Sequence, residues 1–329
     1  MIIARTPFRV SFFGGGTDFA EFYRGHGGAT LATAIDKFCY VSVHRLGLVF
    51  KYKMRASYAQ TELVNDASEF KHPLIRECLL HLGVNEGLEI THVSDLPGRT
   101  GIGSSSSFCV ALLHALHTLR GETVDADTLA QEAIHVERVR VNDAGGLQDQ
   151  YAAAFGGFHR FQFGPGEGVT AKKIAIRPQR KLELNANLLM FFTGTELSAE
   201  MILQEQKKKT GDNTPALLEM LQMVDRAENI LLGNDDLREF GALLHESWMR
   251  KRSLSSGISN TQIDEAYSAA RAAGAAGGKL LGAGGRGFLL LYAEPERHAA
   301  IREKLKALKE IPFGFCPEGS RIIFQTPEG

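Results

Sequence analysis

The sequence predicts an α+β protein built as two domains, on three observations. The first half alternates short β-rich runs with helical patterns. The second half is a train of helices with strands at either end. At 329 residues the chain is also long enough for two cores. Taken in order, "IIARTPFRVSFF", "GATLATAI", "FCYVSVHRL" and "LEITHVSDL" read as strands, with a helix near 73–82. A helix opens at the serine run of "LPGRTGIGSSSSFCVALLHALHTL", where Phe108, Leu112, Leu116 and Leu119 recur at helical steps. A second helix is expected over 126–138, then a Gly-Gly break, a short Ala-rich helix at 147–154 and the strand "GGFHRFQF". "GPGEG" at 164–168 is turn chemistry, and a boundary between there and residue 185 gives domains of 1–175 and 176–329. The second domain reads as a strand at 187–193 and helices from 197 to about 272. "GGKLLG" and "GFLLLYA" follow around a glycine turn, then a helix at 294–308 and a last strand, "GSRIIFQ", that completes the unit.

Bulk properties exclude several classes. Apolar residues make up 44% and charged residues 23%, and 37 basic against 38 acidic residues leave a net charge of −1. That balance gives no reason to expect nucleic acid as a partner. No apolar run reaches the ~20 residues that span a bilayer, so no membrane is expected, and Arg5 and Arg9 interrupt the apolar N-terminus, which fails as a signal segment. Four scattered cysteines without a CxxC pair argue against zinc or redox chemistry and suit a reducing cytoplasm. The HxE of His135 to Glu137 lacks the PCxxC of a zinc deaminase, and His114 and His117 lack a third ligand, so these histidines read as structural. Oligomeric state, monomer or homodimer, leaves no mark on the sequence.

Chemistry concentrates in four places. A glycine-rich loop that opens into a helix gathers free N–H groups at the positive end of the helix dipole, an anion site by construction. Over-capping would explain Ser104 but leave Ser105 to Ser107 idle, and a serine oxygen can ligate Mg²⁺. The loop is neither a Walker A nor a GxSxG elbow. "GAGGRG" at 282–287 fits GxGxxG, but a strand follows it rather than a helix, so a strand–turn–strand close to a ligand or to the other domain is expected instead of a dinucleotide fold. Glu137 continues the apolar face of Ala126, Leu129, Ala130, Ala133 and Ile134, where a carboxylate either finds a cation or donors or escapes to water at the helix end. Asp149 opens the Ala-rich helix and alone is an ordinary dipole partner. In "PFRVSFFGGGTDF", Arg9 lies on the strand face opposite Phe8 and Val10, and Asp18 either caps a hairpin turn or is carried to a site by the glycine loop.

Together these pieces resemble the GHMP kinases, the family of galactokinase, homoserine kinase, mevalonate kinase and phosphomevalonate kinase. "PFRVSFFGGGTD", "LPGRTGIGSSSS" and "KLLGAGGRG" are similar to its three motifs, in order and over nearly the whole chain. The resemblance implies a ribosomal-protein-like N-terminal domain with a left-handed βαβ crossover and a ferredoxin-like C-terminal domain, with the site between them. It implies ATP and Mg²⁺ as cofactors and a small-molecule sugar or sugar phosphate as acceptor. Pro97, Gly101, Ile102, Gly103, Ser104, Ser105 and Ser106 would then form the phosphate loop, and Ser105 and Glu137 would hold the metal. Asp149 would be the base or positioning group for the attacking hydroxyl, with Arg9 beside it favouring its charged form or steadying developing charge. Gly15, Gly16, Thr17, Asp18 and Gly284 would meet the substrate.

"GGGTD", where galactokinases have Glu-His before Thr-Asp, together with "LLHESWMRKRSLSSGISN", is most similar to the branch that phosphorylates the anomeric hydroxyl of heptose 7-phosphate for surface polysaccharide. Lys51, Arg55, Arg250, Lys251 and Arg252 are available for a distal phosphate, with solvation the commoner role for such residues. Arg286 stands where the family has a further glycine, either crowding the turn or adding charge. A kinase for fucose, mannose or inositol, and a sensor that keeps the fold without catalysis, are the alternative readings.

Overall fold

The computed structural model describes residues 1–47, 49–166, 168–194 and 199–326. The first half contributes β1 (Ile2–Phe13), α1 (Ala20–His26), β2 (Gly28–Arg45), β3 (Met54–Ser57), β4 (Thr61–Val64), α2 (Pro73–His81), β5 (Leu88–Ser94), α3 (Ser104–Leu119), α4 (Ala126–Ile134), α5 (Gln148–Phe155), β6 (Phe158–Phe163) and β7 (Val169–Lys173). The second contributes α6 (Pro178–Ala186), β8 (Leu188–Phe192), α7 (Ala199–Lys208), α8 (Thr214–Leu232), α9 (Arg238–Ser253), α10 (Thr261–Ala272), β9 (Gly277–Leu280), β10 (Phe288–Tyr292), α11 (Pro295–Lys304), β11 (Lys309–Glu310) and β12 (Arg321–Gln325).

The larger sheet has eight strands in the order β12-β1-β2-β5-β3-β4, and β6 and β7 continue from the other end of β2. The runs expected as two strands at 28–35 and 38–46 are one strand of 18 residues, because Asp36-Lys37 between them holds no glycine or proline to break the ladder. β2 pairs with β1 along its length, with β6 over Gly28 to Thr33 and with β5 over Cys39 to Arg45. The smaller sheet, β11-β8-β10-β9, is antiparallel. α3 packs on β1 and β2, while α8 and α9 of the second half also contact β1 and α9 packs on β9. One apolar cluster therefore runs from Phe8 and Val10 through Phe240 and Leu244 to Phe288 and Leu290, across both halves.

Two further expectations change. The last strand, expected to complete the second unit, pairs antiparallel with β1 and belongs to the large sheet. Alternation predicts which faces a strand shows but not which edge accepts it. The helix expected over 126–138 is α4 followed by a π-helical turn, His135–Arg140, a local widening that is common at functional sites.

Candidate active site

The site is assembled where β1, the loop before α3 and the start of α5 meet. The β1–β2 register shifts between Pro7 and Arg9; irregularities of this kind re-aim side chains next to active sites. The Arg9 N–H donates to Ile102 O at 3.1 Å, fastening the strand to the loop. Its guanidinium forks onto Asp149, with Nε to Oδ1 and Nη2 to Oδ2 both at 2.8 Å, and Nη1 donates to Gly101 O at 2.6 Å. Such a bidentate pair fixes the plane of a carboxylate as well as its position. Arg9 is 4% exposed, and the Asp149 side chain, at 24%, keeps an open side.

The loop takes its shape from glycine. Gly103, at φ 73°, is the N-cap of α3, and no side chain caps that helix. Ser104 is thus the first helical residue rather than the cap, and its hydroxyl instead accepts from the Arg99 N–H at 3.3 Å. The first N–H groups of α3 have no capping partner, and the helix dipole is positive there. Gly101, at φ 78°, touches the turn after β9 so closely that a Cβ would lie 2.3 Å from Leu281 O. The second glycine cluster is therefore a strand–turn–strand packed on the first, across the two halves of the chain.

Ser106 and Ser107 are buried, while Ser105 stays exposed. The Ser105 and Ser106 hydroxyls donate to Glu137 Oε1 and Oε2 at 2.9 and 2.7 Å, Gln150 Nε2 also donates to Oε2, and Ser107 donates to Pro7 O at 2.8 Å. Glu137 is 1% exposed. Burial raises its carboxyl pKa above the ordinary value, against the nearby Arg138 guanidinium and the Ser106, Gln150 and Ser105 donors. A hard-oxygen set of one carboxylate and serine hydroxyls beside an uncapped helix start fits Mg²⁺, which binds through one or two carboxylates plus phosphates.

Asp18 is 3% exposed; Oδ1 accepts from Gly16 N–H at 2.9 Å and Oδ2 from Gln148 N–H at 3.4 Å. Burial raises its pKa, the Gly16 N–H opposes this, and the Asp149 charge adds to it. There is no hairpin here: α1 fills the β1–β2 connection and Asp18 does not cap it. Lys251, expected on the surface, is instead 6% exposed, with Nζ donating to Gly282 O at 2.6 Å. Burial and the adjacent Arg9 lower its pKa to about 8, while Asp18 and Asp149 pull the other way. Lys279 is buried behind it, donates to Phe12 O at 2.9 Å, and is held well below the ordinary lysine range by burial and then by Lys251 and Arg9. Arg55, Arg250 and Arg252 are surface partners of Glu89, Glu219 and Asp264.

A cavity of about 650 Å³ runs along this assembly. Arg9, Asp149, Asp18, Glu137, Gly101, Gly103, Ser104, Ser105, Ser106, Gly15, Gly16 and Gly284 all line it, so most of the residues expected at the site converge. Pro97, Ile102 and Thr17 do not. Pro97 O accepts the Thr100 hydroxyl, Ile102 is fully buried, and the Thr17 hydroxyl lies 2.8 and 2.9 Å from Gly14 O and Ala29 O. Thr17 thus holds the turn from inside and cannot reach a sugar. Sequence reasoning missed one wall of the cavity, where Phe108 packs between His72 and His92 at ring distances of 5.4 and 4.9 Å. It named Lys251 among cations available for a distal phosphate but missed its burial, although Phe240, Leu244, Trp248 and Lys251 share one buried stripe of α9. Among the described residues no helix is long and apolar enough to cross a membrane.

A cleft that offers an uncapped helix start, a clamped carboxylate and a hard-oxygen cluster is that of a small-molecule kinase. The family model for the GHMP kinases N terminal domain matches residues 70–157, and that for GHMP kinases C terminal matches residues 227–310. The chain belongs to the GHMP kinase family and is a phosphotransferase of the two-domain GHMP fold. It is 27% identical over 333 residues, 97% of each chain, to the D-glycero-alpha-D-manno-heptose 7-phosphate kinase of Campylobacter jejuni. To the mevalonate kinase of Pyrococcus horikoshii it is 25% identical over 98% of this chain and 97% of that one. A solved D-glycero-D-manno-heptose 1-phosphate kinase from Bacteroides thetaiotaomicron shares the fold with a TM-score of 0.73, at 23% identity over 99% of this chain and all of that one.

Proposed function

We propose that this protein transfers the γ-phosphoryl group of ATP, with Mg²⁺, to the anomeric hydroxyl of D-glycero-D-manno-heptose 7-phosphate, giving the 1,7-bisphosphate, in the cytoplasm. The observation that carries the reading is the Arg9 fork on Asp149 beside Gly103, where a Cβ would stand 3.5 Å from the carboxylate. Phosphoryl transfer through a loose transition state asks mainly for alignment and charge neutralisation. Asp149, fixed by Arg9, orients the acceptor hydroxyl in line with phosphorus and takes its proton as the bond forms. The phosphates rest on the N–H groups at the start of α3, and the base lies towards His72, His92 and Phe108. Ser105 and Glu137 would hold the metal, which would supply positive charge against the phosphate oxygens. Asp18 and the backbone of Gly15 and Gly16 meet sugar hydroxyls. The relation to the Campylobacter jejuni enzyme along the full chain supports a heptose phosphate as acceptor.

The test is ADP release with purified protein and a panel of heptose 7-phosphate, fucose, mannose, inositol and mevalonate. Turnover with the heptose phosphate alone is expected, and turnover only with an unphosphorylated compound overturns the assignment. Asp149→Ala should lower kcat by several orders of magnitude and leave ATP affinity unchanged; an unaltered kcat removes Asp149 from its role.

A further inference from the structure

The residue that departs from the family's third motif lies in the same cleft. Arg286 is exposed and lines the cavity, its side chain runs past Gly194, where a Cβ would stand 3.1 Å from Nη1, and among the described residues it has no hydrogen-bond or ion-pair partner. Two other arginines lining the cavity are paired, Arg9 with Asp149 and Arg138 with Asp143. Crowding does not explain the position. The Arg286 N–H donates to Gly284 O at 3.0 Å, and its φ is not positive, so the turn accepts a side chain without strain.

Contacts between the two glycine loops locate this charge. Gly287 lies on Thr100, where a Cβ would be 2.4 Å from Thr100 O; Gly101 lies on Leu281 and Gly282; Gly103 lies on Arg9 and Asp149. From Thr100 to Gly103 the neighbours therefore run from Gly287 to the catalytic carboxylate. Arg286, next to Gly287, stands towards the Thr100 end of the loop, remote from Asp149. A second arginine, Arg99, adjoins Thr100 in the chain. Arg99 adopts φ 60°, its N–H is tied to Ser104 Oγ, and its exposed side chain lines the cavity, also without a partner among the described residues. Glu200, the acid lining this region, accepts from Gln204 Nε2 at 3.1 Å instead. Two unpaired arginines lining one cavity suit an anionic ligand there.

We infer that Arg286 binds the phosphate chain of the nucleotide, so that the second domain supplies a charge-assisted contact that a glycine there cannot make. The inference rests on the nucleotide reading above and adds a residue to it. Arg286, acting with Arg99, discriminates a nucleoside triphosphate from an uncharged nucleoside and does not touch the sugar.

The experiment is calorimetric binding of ATP and of adenosine to wild type, Arg286→Ala, Arg286→Gly and Arg286→Lys, with steady-state kinetics and thermal melts alongside. Loss of one charged hydrogen-bond partner predicts about tenfold to a hundredfold weaker ATP binding in Arg286→Ala and Arg286→Gly. Adenosine affinity and sugar KM should stay unchanged, Arg286→Lys should recover part of the loss, and the salt dependence of ATP binding should flatten. Wild-type ATP affinity in Arg286→Ala overturns the inference, as does equal loss of ATP and adenosine, or a rise in sugar KM alone. Failure of wild type itself to bind ATP overturns the nucleotide reading, and the inference with it.

Discussion

Replacing Lys251 with methionine should change the pH dependence of stability in a calculable way. The amine is buried in the last turn of α9 with a pKa lowered from 10.5 to about 8, by burial and then by Arg9. In the unfolded chain it keeps its proton to higher pH, so between these values the unfolded state binds more protons and wild-type stability rises with pH. At pH 7 both states are protonated and the gain is negligible. At pH 9.5 the folded amine is mostly neutral and the unfolded one mostly charged, which is worth about 2 kcal/mol by linkage. Methionine does not titrate. Urea denaturation of both proteins at the two pH values gives the four free energies needed. The stability difference, wild type minus Lys251→Met, should move by about 2 kcal/mol in favour of wild type on going from pH 7 to 9.5. A change under about 0.5 kcal/mol, or one of opposite sign, would refute the buried charged amine.

Gly101→Ala places a methyl 2.3 Å from Leu281 O at a φ of 78°, so it should destabilise by about 2–4 kcal/mol in denaturant melts. Gly25, in α1, is the control, because a Cβ there would meet no heavy atom within 4 Å: Gly25→Ala should stabilise by about 0.4–1 kcal/mol. Arg9→Lys keeps the charge but loses the fork on Asp149; kcat should fall about a hundredfold with ATP KM little changed, measured by steady-state ADP release.

Most of the cavity's polar residues are readable from the chain because their patterns have few other uses. Four serines at a helix mouth exceed what capping needs, and Glu137 continues an apolar face where a carboxylate needs partners. Lys251 is not readable in the same way: it sits in "MRKRS", and a run of cations ordinarily marks a solvated face, although the stripe it shares with Trp248 is there to be seen. Thr17 reads as part of a sugar-binding loop because it adjoins Asp18, but an enclosed hydroxyl between two carbonyls is a tertiary fact. The π turn at His135–Arg140 is hidden because one extra residue per turn hardly alters an apolar stripe. The partner of β12 is hidden because strand edges are chosen by the whole sheet.

The pairing of β12 with β1 brings the first and last described segments side by side: Ile2 faces Gln325, and the Met1 amino group donates to Thr326 Oγ1 at 2.6 Å. A fragment of residues 1–175 would lose this neighbour and leave β1 with a bare row of peptide groups, an invitation to self-association. A circular permutant that joins the two ends by a short linker and opens the chain at a solvent-exposed turn keeps every strand covered. A cut near residue 175 therefore parts two strands of one sheet.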